Sequence, residues 1–451
     1  MAASEHLYAY QEASNLSSST GHLSLSTSSP GEERHPYFYV GELNEPKRTA
    51  QLLLALMDVV RARPHVPSAM LAKTLALSDP IVTSGDDCLR FEGFSGCCGV
   101  YARVDLNSGA MEGSRVGRGT TNVDFNAPML ASLSRVRSDS HVTLSVGQED
   151  LTLKREQQAV VEKKVDLPVR WVRGLMEVQA CQSRMKRVFR IPGPQALRFL
   201  RKLPRMKTNR RKSWIVASGS GLRISQVEPR SASVSVGGLE RLRVLEKLAI
   251  DANELTVFSD ETTGATGWVL SFDHCDFHLL LSPEVWRGFS GEGQALAGIA
   301  SARASKVLPA VRAQLSWASV IEPEALAKRA GVSLEEAIFS LASLGARGLV
   351  GFDLSRETYF HRELPFDLSA IEAMTPRLRS ARKLLSQGMV RVLRETQSGY
   401  EVAVLSTDVE HRVVFSGVPK SCTCPWFAKH QHSRGPCKHQ LAAQIFLEER
   451  E

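Results

Sequence analysis

Three cysteines and one histidine, grouped in two tight pairs near the end of the chain, limit its fold more than any other feature. Cys422 and Cys424 are separated by one residue, and twelve residues later Cys437 and His439 are again separated by one residue. Three thiolates and one imidazole are the ligands of a closed tetrahedral zinc site, with Zn–S near ~2.3 Å and Zn–N near ~2.0 Å. The spacing therefore predicts one structural Zn²⁺ bound by these four residues.

Short apolar segments flank this pattern. Residues 400–405 and 411–415 are typical of two strands, and residues 439–447 have the spacing of an amphipathic helix. We therefore expect a ββα unit stitched together by the metal. His430 and His432 lie in the loop between the two pairs and are the alternative ligands.

The segment that runs Cys422-Thr-Cys424-Pro425 and then Cys437-Lys438-His439, followed by Gln-Leu-Ala-Ala, resembles the SWIM zinc finger. The resemblance covers about the last fifty residues and implies the same four ligands and one zinc ion. It also implies DNA binding or protein–protein contact. Bacterial chains with such a finger after a long N-terminal region tend to belong to systems with a MoxR-type ATPase. The resemblance therefore implies, as an alternative, a protein adaptor or scaffold that works with such an ATPase.

A closed site of this kind has no open coordination position, which argues against zinc catalysis. The zinc-binding free energy is also folding free energy, so we expect the last domain to unfold without metal. The sequence has no phosphate-binding Gly-rich loop with Lys and Ser/Thr, no nucleophile elbow and no H-E-x-x-H motif. We therefore expect a non-catalytic protein without a small-molecule substrate.

The distribution of basic residues favours nucleic acid as a partner. The net charge is +8, yet residues 181–213 alone hold twelve Arg and Lys and no acid. Such a run attracts phosphate backbones, although a solvated face or an acidic protein partner would give the same pattern. Residues 376–385 predict a second basic segment, a helix beside the finger. The candidate nucleic-acid contacts, with DNA expected before RNA, are Arg201, Lys202, Arg210, Arg211, Lys212, Arg382 and Lys383.

The order of the predicted elements indicates an α+β chain of several units. Two β-rich modules with helices have similar endings around Trp171 and Trp286, which predicts an internal duplication. Tandem modules of this order are loosely similar to sliding-clamp and TATA-binder architectures, an analogy of fold alone. The predicted units are a disordered Ser-rich tail (1–40), the first module (41–180), its duplicate (181–295), a winged-helix-like region (296–366) and the basic helix with the finger (367–451).

The winged-helix-like region is predicted from helices followed by a hairpin over residues 348–362. Its third helix begins with Glu335 and Glu336, which oppose phosphate, so we expect a structural or protein-docking role. Arg356, His361 and Arg362 on the hairpin are possible contacts with a nucleic-acid backbone.

A strand over residues 273–278 would place His274, Asp276 and His278 on one face, and we expect that polar face to point outward.

Eight cysteines in 451 residues are too few for a disulfide framework, which favours a reducing compartment. No run approaches the roughly 20 apolar residues that span a bilayer. The first residues lack the basic and apolar regions of a secretory signal. The sequence therefore predicts a cytoplasmic protein with no membrane partner.

Overall fold

The computed structural model describes residues 8–9, 13–17, 21–27, 29–30, 38–62, 79–115, 117–123, 125–147, 169–205, 212–219, 221–291, 293–300, 302–364, 375–397, 399–415 and 420–450. The fold is mixed α+β, as the sequence predicts. Residues 150–153 and 159–165, whose sequence predicts two strands of the first module, lie outside the described residues.

The helices in chain order are α1 (Pro46–Arg61), α2 (Ala127–Leu133), α3 (Val169–Gln182), α4 (Gly193–Arg201), α5 (Val244–Leu248), α6 (Leu296–Ala300), α7 (Ala302–Arg312), α8 (Pro323–Ala330), α9 (Leu334–Ala346), α10 (Pro376–Ser386), α11 (Pro425–His430) and α12 (Lys438–Arg450).

The strands are β1 (Tyr8–Ala9), β2 (Asn15–Ser17), β3 (His22–Leu25), β4 (Ser29–Pro30), β5 (Tyr39–Leu43), β6 (Ile81–Ser84), β7 (Cys88–Phe94), β8 (Val100–Asn107), β9 (Met111–Arg115), β10 (Gly119–Asn122), β11 (Thr143–Val146), β12 (Lys186–Pro192), β13 (Lys212–Ser218), β14 (Gly221–Ser225), β15 (Ser233–Gly237), β16 (Glu254–Ser259), β17 (Thr266–Ser271), β18 (Cys275–Leu281), β19 (Val350–Asp353), β20 (Thr358–His361), β21 (Val390–Thr396), β22 (Gly399–Ser406), β23 (Val409–Val414) and β24 (Ser421–Cys422).

An eight-stranded antiparallel sheet is the centre of the fold, in the order β10-β6-β7-β8-β18-β17-β16-β12. Its first four strands come from the first predicted module and its last four from the second. They meet where β8 pairs with β18, with Val104 opposite Phe277. The strands are apolar on the face that packs against α1 and α3, where Phe91, Trp268 and Trp171 are buried. The two modules therefore contribute to one sheet and one core.

A second sheet differs from the expectation of a disordered N-terminal tail. Its order is β2-β3-β11-β5-β9, and β3 pairs in parallel with β11, so that Leu23 lies opposite Leu144. Leu23 and Leu25 are fully buried in the main core. The Ser-rich composition did not indicate this short strand, whose partner lies about 120 residues further along the chain. Its two leucines occupy alternate positions and therefore point to the same face of the sheet.

The similar endings of the two modules do not occupy equivalent positions. Trp171 lies within α3 and is buried, whereas Trp286 lies outside any helix and is 57% exposed. The two endings instead contact each other, because the Glu177 carboxylate accepts hydrogen bonds from the backbone N–H groups of Gln294 (2.8 Å) and Ala295 (3.2 Å).

The helices and the hairpin predicted for residues 296–366 are present, with β19 and β20 paired antiparallel. At the start of α9, Ser333 and Glu336 form a capping box, and the Glu336 carboxylate accepts from the Ser333 N–H at 2.9 Å. That these elements form a winged helix stays a prediction.

The hairpin is docked onto the eight-stranded sheet by buried charges. The Arg362 guanidinium donates to Glu92 Oε2 at 2.6 Å, and the Tyr101 hydroxyl donates to the same carboxylate. Arg362 and His361 are buried, and Arg356 pairs with Asp87. Arg356 and Arg362 therefore hold the hairpin against the sheet, whereas the His361 ring accepts a hydrogen bond from the Trp317 N–H at 2.7 Å. Because Arg362 and His361 are buried, their expected contact with a nucleic-acid backbone was wrong, and that of Arg356 stays a prediction.

The C-terminal part forms a four-stranded sheet, β21 to β24, with α10, α11 and α12. It is larger than the expected two strands and one helix. Its core also includes Val172 and Met176 of α3 and residues of α6. The opposite face of α3 contributes Trp171, Leu175 and Val178 to the main core. One helix thus packs on both cores.

No helix in the described residues has both the length and the apolar character needed to cross a membrane.

Candidate metal centre

Three elements, β24, α11 and α12, bring the predicted ligands together. Cys422 ends β24, Cys424 is the N-cap of α11, and Cys437 immediately precedes α12, which carries His439 in its first turn. All four side chains are buried. The sequence folds this way because Pro425 starts one helix directly after the first pair, while the second pair starts the next helix.

The geometry suits one tetrahedral zinc ion. The three Sγ atoms and one imidazole nitrogen all lie within 4.8 Å of one another. His439 Nδ1 is 3.9 Å from Cys422 Sγ and 4.0 Å from Cys437 Sγ. A tetrahedron with standard Zn–S and Zn–N bonds places sulfur and nitrogen about 3.6 Å apart. The predicted cofactor, one structural Zn²⁺, therefore fits these residues.

Backbone donors around the thiols favour their charged forms. Cys424 Sγ accepts from the Phe427 N–H, and Cys437 Sγ accepts from the Gln440 N–H, each at 3.4 Å. The hydrogen bond from Cys422 lowers the pKa of the Cys437 thiol to about 4, and the same contact raises the pKa of Cys422. Zinc binds cysteine as thiolate, so metal binding displaces the protons of these thiols.

Two residues that the sequence did not mark as part of the site hold the ligand loop. Gln440 fixes the second pair, because its Oε1 accepts from the Cys437 N–H at 3.0 Å. Arg377 of α10 donates to the carbonyl oxygens of Arg434 (2.8 Å) and Pro436 (2.9 Å). The sequence placed Arg377 in a basic patch, but its guanidinium supports the zinc loop and lies 4.8 Å from the Trp426 ring centre.

The loop also docks on the remainder of the fold. Gln294 Nε2 donates to the His432 carbonyl at 2.7 Å. Gly435 has φ +70°, and a Cβ at that position would lie 2.0 Å from the Gly293 carbonyl oxygen. The similar module endings in the sequence were the only signal of this contact, and they were read as a repeat.

The alternative ligands lie outside the cluster. The His430 ring contacts the Trp426 ring at 4.4 Å between centres, and the His432 ring contacts Phe427 at 5.3 Å. Both histidines therefore pack on aromatic side chains of the loop, and the ligand cluster contains neither of them.

A second cluster of potential ligands, Asp105, His278 and Asp353, is buried beneath the hairpin. Arg103 Nη2 lies 2.9 Å from Asp105 Oδ2, 3.0 Å from Asp353 Oδ1 and 3.0 Å from His278 Nε2. Arg90 binds both aspartates as well. Two guanidinium groups already balance two carboxylates, so this is a buried ion-pair cluster rather than a metal site. The expectation that His278 would face outward was wrong, since β8 and β19 cover it with these charges.

The candidate nucleic-acid residues that the structure describes lie on three elements. Arg201 and Lys202 are exposed at the end of α4, and Lys212 is exposed at the start of β13. Arg382 and Lys383 are exposed on α10. Arg210 and Arg211 lie outside the described residues.

Residues 400–445 match the family model of the SWIM zinc finger. The C-terminal unit is a SWIM-type zinc finger. The match identifies this segment and does not extend to the remainder of the chain. The SWIM segment spans β22 to most of α12 and includes all four ligands.

The chain has no significant match among curated proteins. Among solved structures it is similar to the Proliferating Cellular Nuclear Antigen from Entamoeba histolytica, with 9% identity and a TM-score of 0.34. That similarity covers 55% of this chain and 98% of the other. It is too slight to establish a shared fold.

Proposed function

We propose that this chain is a non-catalytic zinc protein that binds nucleic acid, DNA in the first instance, through exposed basic faces. The SWIM finger is its structural zinc unit and carries one of these faces. The observation that supports this most is an unpaired basic face on α4, which remains after acidic neighbours have neutralised the preceding part of the basic run.

The first part of the basic run is engaged in ion pairs. Four of its residues contact acids of neighbouring strands or loops, at N···O distances from 2.7 to 3.9 Å; the pairs are Arg184–Asp260, Lys186–Glu261, Arg187–Glu357 and Arg190–Glu254. The net charge of residues 181–213 is therefore larger than the unneutralised positive charge that a phosphate backbone would contact.

The second part is different. Arg198, Arg201 and Lys202 are exposed, and their spacing puts them on one face of α4. The opposite face packs Phe199 and Leu200 into the core. Within the described residues, none of the three basic side chains forms an ion pair. Such a face gains counterion-release free energy when it meets phosphates.

A second basic face lies on α10, whose apolar side, Leu378 and Leu384, packs into the core of the finger. Arg382 and Lys383 point away from that core and are exposed. Because α10 packs along α12, a strand of nucleic acid bound here would lie beside the finger.

A structural role for zinc supports the non-catalytic part of the proposal. Four protein ligands complete a tetrahedron, which leaves no position for a reacting water or substrate. The buried Asp105–His278–Asp353 cluster is neutralised internally and is closed off by the hairpin.

The test is binding of the full-length, zinc-loaded chain to labelled single- and double-stranded DNA across a salt series. We expect affinity to fall steeply with salt. The double variant Arg201→Ala/Lys202→Ala should bind more weakly, with the slope for duplex DNA reduced by about 2 if both residues contact phosphates. The matched control is Lys328→Ala/Arg329→Ala, which removes two exposed adjacent bases from α8.

Absence of binding at low salt would refute the proposal. Equal losses in the two double variants would show that α4 is not the contact surface.

The second candidate is a protein adaptor or scaffold, which includes the expected partnership with a MoxR-type ATPase. An exposed apolar face on α9 favours it over a purely nucleic-acid role.

A further inference from the structure

Helix α9 presents large apolar side chains to solvent. Leu334, Ile338 and Phe339 are 41%, 45% and 37% exposed. Leu334 and Ile338 lie one turn apart on one face of the helix, and Phe339 points about 100° further round it. The other face buries Leu341 and Leu344 beneath α7 and α8. Large apolar residues scattered singly on a surface need no explanation, but three exposed within two turns of one helix indicate an interaction surface.

Of these three side chains, Phe339 borders a groove between α9 and the zinc finger. The groove has a volume of about 670 Å³. Phe339 lines it from the α9 side, and Tyr400, Phe415 and Leu447 line it from the finger. These four side chains provide an apolar floor made by two separate units of the fold.

The rim of the groove is acidic. Glu335, Glu336 and Glu448 border it, against one base, Lys420, whose Nζ lies 5.0 Å from the Phe415 ring centre. Glu336 also caps α9, and Glu448 accepts from Gln444, and both carboxylates lie at the edge of the groove. The net charge of the rim repels phosphate and attracts a cationic partner.

We propose that this groove docks a short amphipathic helix of a partner protein, with large apolar side chains on one face and Lys or Arg beside them. Apolar anchors one and two turns apart would occupy the floor, as in helix-in-groove recognition. The flanking bases would pair with the acidic rim. The surface is separate from the basic face of α4 and does not depend on nucleic-acid binding.

The probe is a synthetic helical peptide of about 16 residues, with Leu at i, i+3, i+4 and i+7 and Lys at the flanking positions. Its binding to the full-length, zinc-loaded chain is measured by fluorescence anisotropy. We expect saturable binding that weakens with salt. A peptide with Glu in place of Lys should not bind, nor should one with Ser in place of Leu.

Phe339→Ser should weaken binding about tenfold or more, because it removes a central anchor. Glu335→Lys should also weaken it, and should reduce the dependence on salt. The matched control is Ile250→Ser, which removes a 61% exposed apolar side chain far from the groove in sequence and should leave affinity unchanged.

No binding of the basic peptide at low salt would overturn the proposal, as would equal binding of the acidic peptide or of the Phe339→Ser variant. Self-association of the wild-type chain that Phe339→Ser abolishes would also overturn it, since the occupant would then be a second copy. DNA binding measured on the same variants separates this surface from the proposed nucleic-acid function, because Phe339→Ser should leave it intact.

Discussion

Replacing Cys437 by Ser should release zinc and unfold the finger, and it should also loosen a helix outside the finger. Cys437 supplies one of three thiolates to the site and is buried. Zinc binding contributes on the order of 10 kcal/mol to the folding of such units. That is comparable with the whole stability of a domain, about 5–15 kcal/mol, so the C-terminal sheet and α12 should not persist without it.

The core that the finger shares with α3 and α6 determines how strongly zinc loss destabilises these two helices. Val172 and Met176 of α3, and Leu296 and Ile299 of α6, are buried against the finger. Burial stabilises a large apolar side chain by about 1.5–3 kcal/mol. Exposing all four would remove about 6–12 kcal/mol of packing as an upper limit. The initial expectation was that the last domain alone would respond to metal loss, and the structure extends that response to α3 and α6.

The assay is zinc content by mass spectrometry together with hydrogen–deuterium exchange. In Cys437→Ser, exchange should rise in residues 390–450 and also in α3 and α6, while β7 and β8 stay protected. His432→Ala is the control, because this histidine lies outside the ligand cluster and should keep its zinc. Wild-type zinc content in Cys437→Ser would refute the ligand assignment. Zinc loss without faster exchange in α3 would refute the coupling between the two cores.

Two further predictions concern other parts of the fold. Removing residues 1–27 should lower thermal stability, because Leu23 and Leu25 are worth about 3–6 kcal/mol together; an unchanged melting temperature would show that β3 is dispensable. Arg362→Met should cost about 3–5 kcal/mol in urea unfolding at neutral pH, because it leaves the buried Glu92 carboxylate without its guanidinium partner. Burial by itself would raise the pKa of Glu92, but the charge and hydrogen bonds of Arg362 outweigh it and hold that pKa below its usual value. The stability from this pair is therefore present above the usual pKa and is lost as pH falls through the folded pKa. The gap between wild type and variant should shrink on acidification, and equal stability at neutral pH would contradict this reasoning.

Local signals in the sequence predicted local structure well. The Cys/His spacing located the zinc ligands because chelation by close pairs depends on a few adjacent residues. An Asn directly before Ala127 and Pro128 is a typical N-cap, and the Asn126 Oδ1 accepts from the Met129 N–H at 3.0 Å. The capping box of Ser333 and Glu336 likewise needs only residues three apart.

Contacts between distant segments were not predictable in this way. The partner of β3 is β11, and nothing near Leu23 in the sequence marks that pairing. His278 alternates with apolar residues on β18 as a surface residue would, but Arg103 and Asp353 from other elements bury it. Polar residues that satisfy one another inside the fold resemble solvated ones until their partners are known.

The two-sided packing of α3 also constrains how the chain can change in length. Each residue of an α-helix turns the following side chains by about 100°. One inserted residue near the middle of α3 would therefore rotate Leu175 and Val178 out of the main core, and Met176 out of the core that it shares with the finger. A substitution on α3 changes the packing in one of the two cores, whereas an insertion changes the packing in both. We therefore expect the fold to tolerate inserted residues in the segments on either side of α3 and not within the helix.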